Sequence, residues 1–183
     1  LRDDDGRLGQ EPRAELLDTI CAEAERMERL IGNLLDMMKL ESGGLALKRE
    51  WVPLEEIVGS ALTRLESRLA GREVLMNLPD NLPLMSVDPV LFEQVFVNLF
   101  DNALKYTPVG SPIELRVQLR DHVFEVEIAD RGPGLPPGGE ALVFEKFWRG
   151  AHPGTGGVGL GLPICRGIVQ AHGGAITAET RRE

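Results

Sequence analysis

The sequence predicts an α+β fold, one sheet beneath a layer of helices, with a single long helix in front of it. Three observations predict it. Apolar residues recur at heptad spacing from Pro12 to about Ser42, two runs alternate apolar and polar residues on either side of a tight Asp121-His122 connection, and helical patterns are interleaved with these short strand patterns. Helices and antiparallel hairpins in that order pack as two layers around one core. A chain of 183 residues suffices for one such domain with an appendage.

The first helix is opened by Pro12, suited to a first turn, and closed by Gly43-Gly44. Leu17, Ala24, Ile31 and Met38 form one seam and Ile20, Met27 and Leu34 another, while Leu16, Cys21, Leu30 and Leu35 widen the stripe. So broad a face suits a four-helix bundle reached by dimerisation. A helix packed on its own domain is the alternative. The boundary between this region, 1–44, and the sandwich, 45–183, is set near Gly43-Gly44.

Leu45 to Trp51 reads as a short strand and Pro53 to about Ala70 as a second amphipathic helix ended by Gly71. Val74 to Leu78 and Leu82 to Val87 are strands separated by the turn-forming Pro79-Asp80-Asn81. Asp88 caps the next helix, with Pro89 in its first position. Ile113 to Leu119 and Phe124 to Ile128 form the hairpin, one face buried. A glycine- and proline-rich stretch from Gly132 to Gly161, broken only by Leu142 to Trp148, is longer than an ordinary connector, and loops of that length are usually functional. A helix from Pro163 to His172 and a strand from Ala175 to Ala178 complete the chain.

Charge and cysteines narrow the function. With 29 acidic against 20 basic residues, net −9, and no polybasic run, general attraction to nucleic acid or anionic lipid is excluded. Cys21 and Cys165 have no metal-binding spacing and suit a reducing cytosol. No apolar run is long enough to span a bilayer. Because the chain starts without Met and stops soon after its last strand pattern, it reads as a segment of something longer, with any membrane anchor outside it.

Chemistry concentrates at three places. The Asp88-capped helix turns Val95, Phe96, Leu99 and Ala103 to one side and Asn98, Asn102 and Lys105 to the other, at i, i+4 and i+7. Two amides and an amine on one face suit an anionic, metal-bound ligand, and a magnesium nucleotide fits that description. Asp130-Arg131-Gly132-Pro133-Gly134 follows a strand directly. A strand-end carboxylate accepts from the adenine amino group, whereas guanine would set a carbonyl against it; the same residues alone also make a plain turn. Gly157-Val158-Gly159-Leu160-Gly161 before a helix offers backbone N–H groups to phosphate, or simply a flexible loop, and it lacks the Rossmann and P-loop fingerprints. Between them, Phe144-Glu145-Lys146-Phe147-Trp148-Arg149 carries three aromatics that require a pocket or anchor the loop.

In this order, the asparagine helix, Asp130-Arg131-Gly132-Pro133-Gly134, Phe144-Glu145-Lys146-Phe147 and Gly157-Val158-Gly159-Leu160-Gly161 resemble the N, G1, F and G2 boxes of sensor histidine kinases. Pro12 to Ser42 resembles the second helix of that family's dimerisation hairpin. Glu25-Arg26-Met27, Asn33-Leu34-Leu35-Asp36-Met37 and Leu40-Glu41-Ser42-Gly43 are similar to the potassium-responsive members. The resemblance implies a Bergerat (GHKL) ATP-binding sandwich with a mixed, mainly antiparallel sheet lacking its last strand. It implies that Asn102 ligates magnesium, Asn98 supports metal and phosphates, Lys105 neutralises a phosphate and Tyr106 packs on adenine. Asp130 would accept from the adenine amino group and Gly132 and Gly134 admit the ring. Gly157, Gly159 and Gly161 would line the phosphates, with Val158, Leu160, Phe144 and Phe147 also at the ATP site and residues 136–156 as its lid.

Related Hsp90, gyrase and MutL ATPases carry a glutamate where this chain has Asn98, and an amide cannot activate water. The resemblance therefore implies transfer of the γ-phosphate to a histidine and thence to a response-regulator aspartate. None of His122, His152 and His172 has the acidic helical setting of the family's acceptor, so that helix is expected upstream and this fragment alone is not expected to phosphorylate itself. The expected location is the cytoplasmic part of a membrane-anchored sensor. A nucleotide-binding regulatory module without catalysis, or an ATPase or serine kinase of the same fold, are the competing readings.

Overall fold

A computed structural model describes residues 10–41, 46–69, 71–149 and 158–181. Eleven elements follow one another among them: α1 (Gln10–Glu41), β1 (Glu50–Val52), α2 (Leu54–Arg64), α3 (Glu66–Leu69), β2 (Val74–Asn77), β3 (Met85–Val87), α4 (Pro89–Tyr106), β4 (Ile113–Arg120), β5 (Val123–Ala129), α5 (Gly139–Leu142) and α6 (Gly161–Ala171). The expected α+β sandwich with a mixed, mainly antiparallel sheet is present. β2 runs parallel to β4, and β4 pairs antiparallel with β5, while β1 and β3 form a separate antiparallel ribbon.

Alternation puts Ile113, Leu115 and Val117 of β4 on one face, all buried. Helices α2 and α4 cover that face with Leu54, Ile57, Val58, Ala61, Phe96, Phe100 and Ala103. Phe100 and Leu54 are fully buried, each contributing about 1.5–3 kcal/mol relative to exposure. A second core joins α4 to α6 and the end of α1 through Val95, Leu160, Ile164, Cys165, Ile168 and Met37. The hairpin turn forms as expected, with Asp121 and His122 both at positive φ (49° and 65°), the pair of left-handed residues that matches the twist of a two-residue connection.

Asp88 does more than cap. Its Oδ1 accepts from Leu91 N at 3.2 Å, its Oδ2 accepts from Lys48 N at 3.0 Å, and its own N–H donates to His172 Nε2 at 3.0 Å. Since a backbone N–H can only donate, Nε2 carries the lone pair and Nδ1–H donates to Ile168 O at 2.8 Å. His172 is thus a structural joint between the start of α4 and the end of α6.

Several expectations are corrected. The strand expected at Leu45 to Trp51 is confined to Glu50–Val52, and Leu45 lies outside the described residues. The helix expected through Ala70 is broken at Leu65, whose N–H is shared between Ala61 O and Leu62 O while its side chain stays in the core. Val74 to Leu78 and Leu82 to Val87 shorten and enter different sheets. Ala175 to Ala178 is not a strand: it has no ladder partner among the described residues, and the segment is held instead by side chains. Leu135 N donates to Thr180 Oγ1 at 3.1 Å and Arg181 grips Glu114 at 2.8 and 3.1 Å.

Among the described side chains, helix α1 meets the domain through Asp36, Met37 and Leu40 near its end. Gly167 of α6 leaves room for Leu40, whose Cδ1 stands 2.8 Å from where a Cβ would be, and Gln94 Nε2 donates to Asp36 Oδ2 at 2.6 Å. Leu16, Leu17, Ile20, Met27, Ile31, Leu34, Leu35 and Met38 remain half-exposed or more, so packing on its own domain accounts for the last turns alone. The Gly43-Gly44 boundary lies outside the described residues. No described helix is long and apolar enough to cross a membrane.

Candidate functional site

Helix α4 supplies one wall. Val95, Phe96, Phe100 and Ala103 are buried, while Asn98 lies against the start of α6 and Lys105 shares a cavity with the loop after β5. Asn98 is the innermost. Its Nδ2 is buried without a hydrogen bond of ordinary geometry, and its side chain lies 3.7 Å from the position a Cβ on Gly161 would take. The same amide faces Cys165, whose thiol burial pushes up to about 12 while Asn98 partly opposes it. Asn102 is half-buried one turn further along.

Lys105 is engaged: its Nζ is 2.5 Å from Asp101 Oδ2, and Arg68 of α3 pairs with the other carboxylate oxygen. Two cations on one carboxylate leave a positive surplus here. The end of α4 is fixed by Arg72, whose guanidinium donates to Leu104 O at 3.3 Å, to Thr107 O at 3.0 Å and to Thr107 Oγ1. Those are the carbonyls a helix C-terminus leaves unsatisfied. Tyr106, beside them, remains 41% exposed and offers a ring face.

The loop after β5 closes against this end. Asp130 Oδ1 accepts from Gly132 N at 2.8 Å. A Cβ on Gly132 would stand 2.9 Å from that oxygen and 3.0 Å from Tyr106 O, so the glycine lets the carboxylate and α4 approach. An open cavity of about 510 Å³ lies here, walled by Lys105, Tyr106, Thr107, Pro108, Arg131, Gly132 and Pro133. Asn98, Asn102 and Asp130 are not among its walls.

Gly134 is at φ +74, against Thr180. Gly159, also at φ +74, accepts from Phe147 N at 3.0 Å, and a Cβ there would be 2.6 Å from Trp148 O. The aromatic loop and the second glycine loop are thereby joined. The side chains of Phe144 and Leu160 are buried, Phe144 beneath the Arg166 guanidinium at 5.8 Å and Leu160 in the second core, where apolar burial anchors the loops that carry them. Phe147 and Val158 are the exposed members. Gly157 and His152 lie outside the described residues, as do residues 150–156 of the expected lid.

A magnesium nucleotide fits what is present. Magnesium bound mainly through substrate phosphates needs few protein oxygens, of which Asn102 can offer one; Asn98 has an unsatisfied donor beside a glycine helix start, and Gly132 lets the Asp130 carboxylate stand close to Tyr106 at the edge of the open cavity. Sequence reasoning missed Asp101, although its i, i+4 spacing to Lys105 was a signal, and missed Arg72, whose partners lie more than thirty residues away.

Residues 87–183 match the family described as histidine kinase-, DNA gyrase B- and HSP90-like ATPases. The chain belongs to this family. Within it, the chain is 45% identical to the sensor protein KdpD of Escherichia coli over 173 residues, covering 94% of this chain and 19% of KdpD. The solved mycobacterial sensor histidine kinase MprB is 33% identical, with a TM-score of 0.63 over 70% of this chain and 83% of that one. ShkA, solved in complex with AMPPNP, superposes with a TM-score of 0.77 over 96% of this chain and 38% of its own, at 24% identity, and so attests the fold alone. The chain spans about a fifth of the length of the KdpD relatives it matches.

Proposed function

We propose that this chain is the ATP-binding catalytic region of a KdpD-type sensor histidine kinase, in the cytoplasmic part of a membrane-anchored protein. The observation that carries the reading is the meeting of two loops with the C-terminal half of α4, Gly132 between Asp130 and Tyr106 and Gly161 against Asn98. In this reading Asp130 accepts from the adenine amino group, Tyr106 packs on the base, and Gly159 and Gly161 border the phosphates. Lys105 exchanges Asp101 for a phosphate, and Arg68 keeps that carboxylate paired.

Magnesium, held by Asn102, supplies charge that neutralises the triphosphate. Asn98 occupies the position from which a carboxylate would deprotonate water, and an amide cannot take that proton. The γ-phosphoryl therefore passes to a ring nitrogen of a histidine on an acceptor helix, the N–P bond forming as the bond to the β-phosphate oxygen breaks and ADP leaves, with positioning supplying the acceleration. The acceptor helix, self-association through residues 12–42 and onward transfer to a response regulator belong to the same proposal, as does inability of this fragment to phosphorylate itself.

The test mixes the chain with radiolabelled magnesium ATP and a separate acceptor-helix fragment. Acid-labile label on histidine is expected, reduced on the order of a hundredfold in Asn102→Ala, whose circular dichroism stays native. Steady phosphate release without label, binding without transfer, or full transfer by Asn102→Ala would overturn it.

A further inference from the structure

The sequence nominates Lys105 as the cation of the nucleotide site, yet of the two cations in the cavity wall Lys105 is the committed one, 2.5 Å from Asp101. Arg131 is the other. Its carboxylate neighbour Glu114 lies 3.9 Å away and is already held by both nitrogens of Arg181 at 2.8 and 3.1 Å. The Arg131 side chain is 62% exposed, so its guanidinium moves at little cost. The cavity it lines holds Tyr106, Gly132 and Pro133 but not Asn98, Asp130 or Gly161. In the proposed reading Tyr106 makes it the approach to the base, with Asp130 behind Gly132.

We infer that Arg131 is a further nucleotide-binding residue, its planar guanidinium stacking on the face of the purine at the cavity mouth, across from Tyr106. The inference rests on the proposed nucleotide reading and adds to it the side chain between Asp130 and Gly132. A guanidinium is flat, weakly hydrated and stacks on π faces, whereas an ammonium is a hydrated point charge. Its contact to a base is worth about a two- to fivefold change in affinity at an exposed site.

The experiment is titration calorimetry of magnesium ADP into the full chain and into Arg131→Met and Arg131→Lys. Both variants are expected to bind about two- to fivefold more weakly, at unchanged melting temperature. Wild-type affinity in Arg131→Met would remove the residue from the site. Full rescue by Arg131→Lys would overturn the stacking role, because charge alone would then suffice. Absence of ADP binding by the wild-type chain would overturn the underlying nucleotide reading as well, and is distinguished by the unsubstituted control.

Discussion

Replacing Gly132 by alanine separates this site from an ordinary turn. The added Cβ would lie 2.9 Å from Asp130 Oδ1, 3.0 Å from Tyr106 O and 3.5 Å from Thr107 Cγ2, and the first two are closer than carbon and oxygen tolerate. The carboxylate can swing away, but it then gives up the 2.8 Å bond from Gly132 N, about 1.5–3 kcal/mol for a charged acceptor. If the backbone moves instead, overpacking costs about 1–3 kcal/mol. Either route lowers the thermal midpoint by roughly 3–9 °C, at about 3 °C per kcal/mol for a chain of this size. It also displaces the carboxylate proposed to read adenine, so magnesium ADP should bind on the order of tenfold more weakly, following the same loss. Gly161→Ala is the control: its nearest atoms are Asn98 Cγ and Oδ1 at 3.7 Å, an ordinary contact, and the midpoint should stay within about 0.5 kcal/mol of wild type. Circular dichroism melts and calorimetry measure both variants. A Gly132→Ala chain as stable and as tight-binding as wild type would refute the packing argument.

Two further outcomes follow from titratable groups. The Arg181 hydrogen bonds hold the Glu114 carboxyl below its ordinary value, against burial and with help from the charges of Arg181, Arg131 and Arg116; its contribution to stability is therefore full above the ordinary carboxylate range and lost as pH falls through the depressed value. In Arg181→Ala, Glu114 should titrate at higher pH by NMR, and an unmoved titration would sink the assignment. Cys165, buried with its thiol raised to about 12, should resist a thiol reagent at pH 8 while exposed Cys21 reacts; two thiols labelled at one rate would contradict the burial.

What the sequence made legible were features decided within a few residues. Asp88-Pro89, the Asp121-His122 turn and the buried side of α4 are local, and each formed where expected. Pairing partners were less legible. Val74 to Leu78 and Leu82 to Val87 look like neighbours because a turn joins them, yet β2 is claimed by β4 and β3 by β1, since long-range burial decides register. At the site, the Asn98, Asn102 and Lys105 face could be read from helical spacing, and so could the i, i+4 pairing of Lys105 with Asp101, but the burial of Phe144 and Leu160 could not be separated from motif membership. A motif states which residues recur, not which side chains pack into the core.

Helix α6 is held at three points: Gly161 against Asn98, Gly167 against Leu40 of α1, and His172 against the backbone of Asp88. A rod pinned at both ends and once between cannot tilt under one load without shifting its bearings on the others. Pulling α1 off its glycine seat thus changes the footing of Asn98 as well, so under the proposed function helix position and occupancy of the cleft become two readings of one lever.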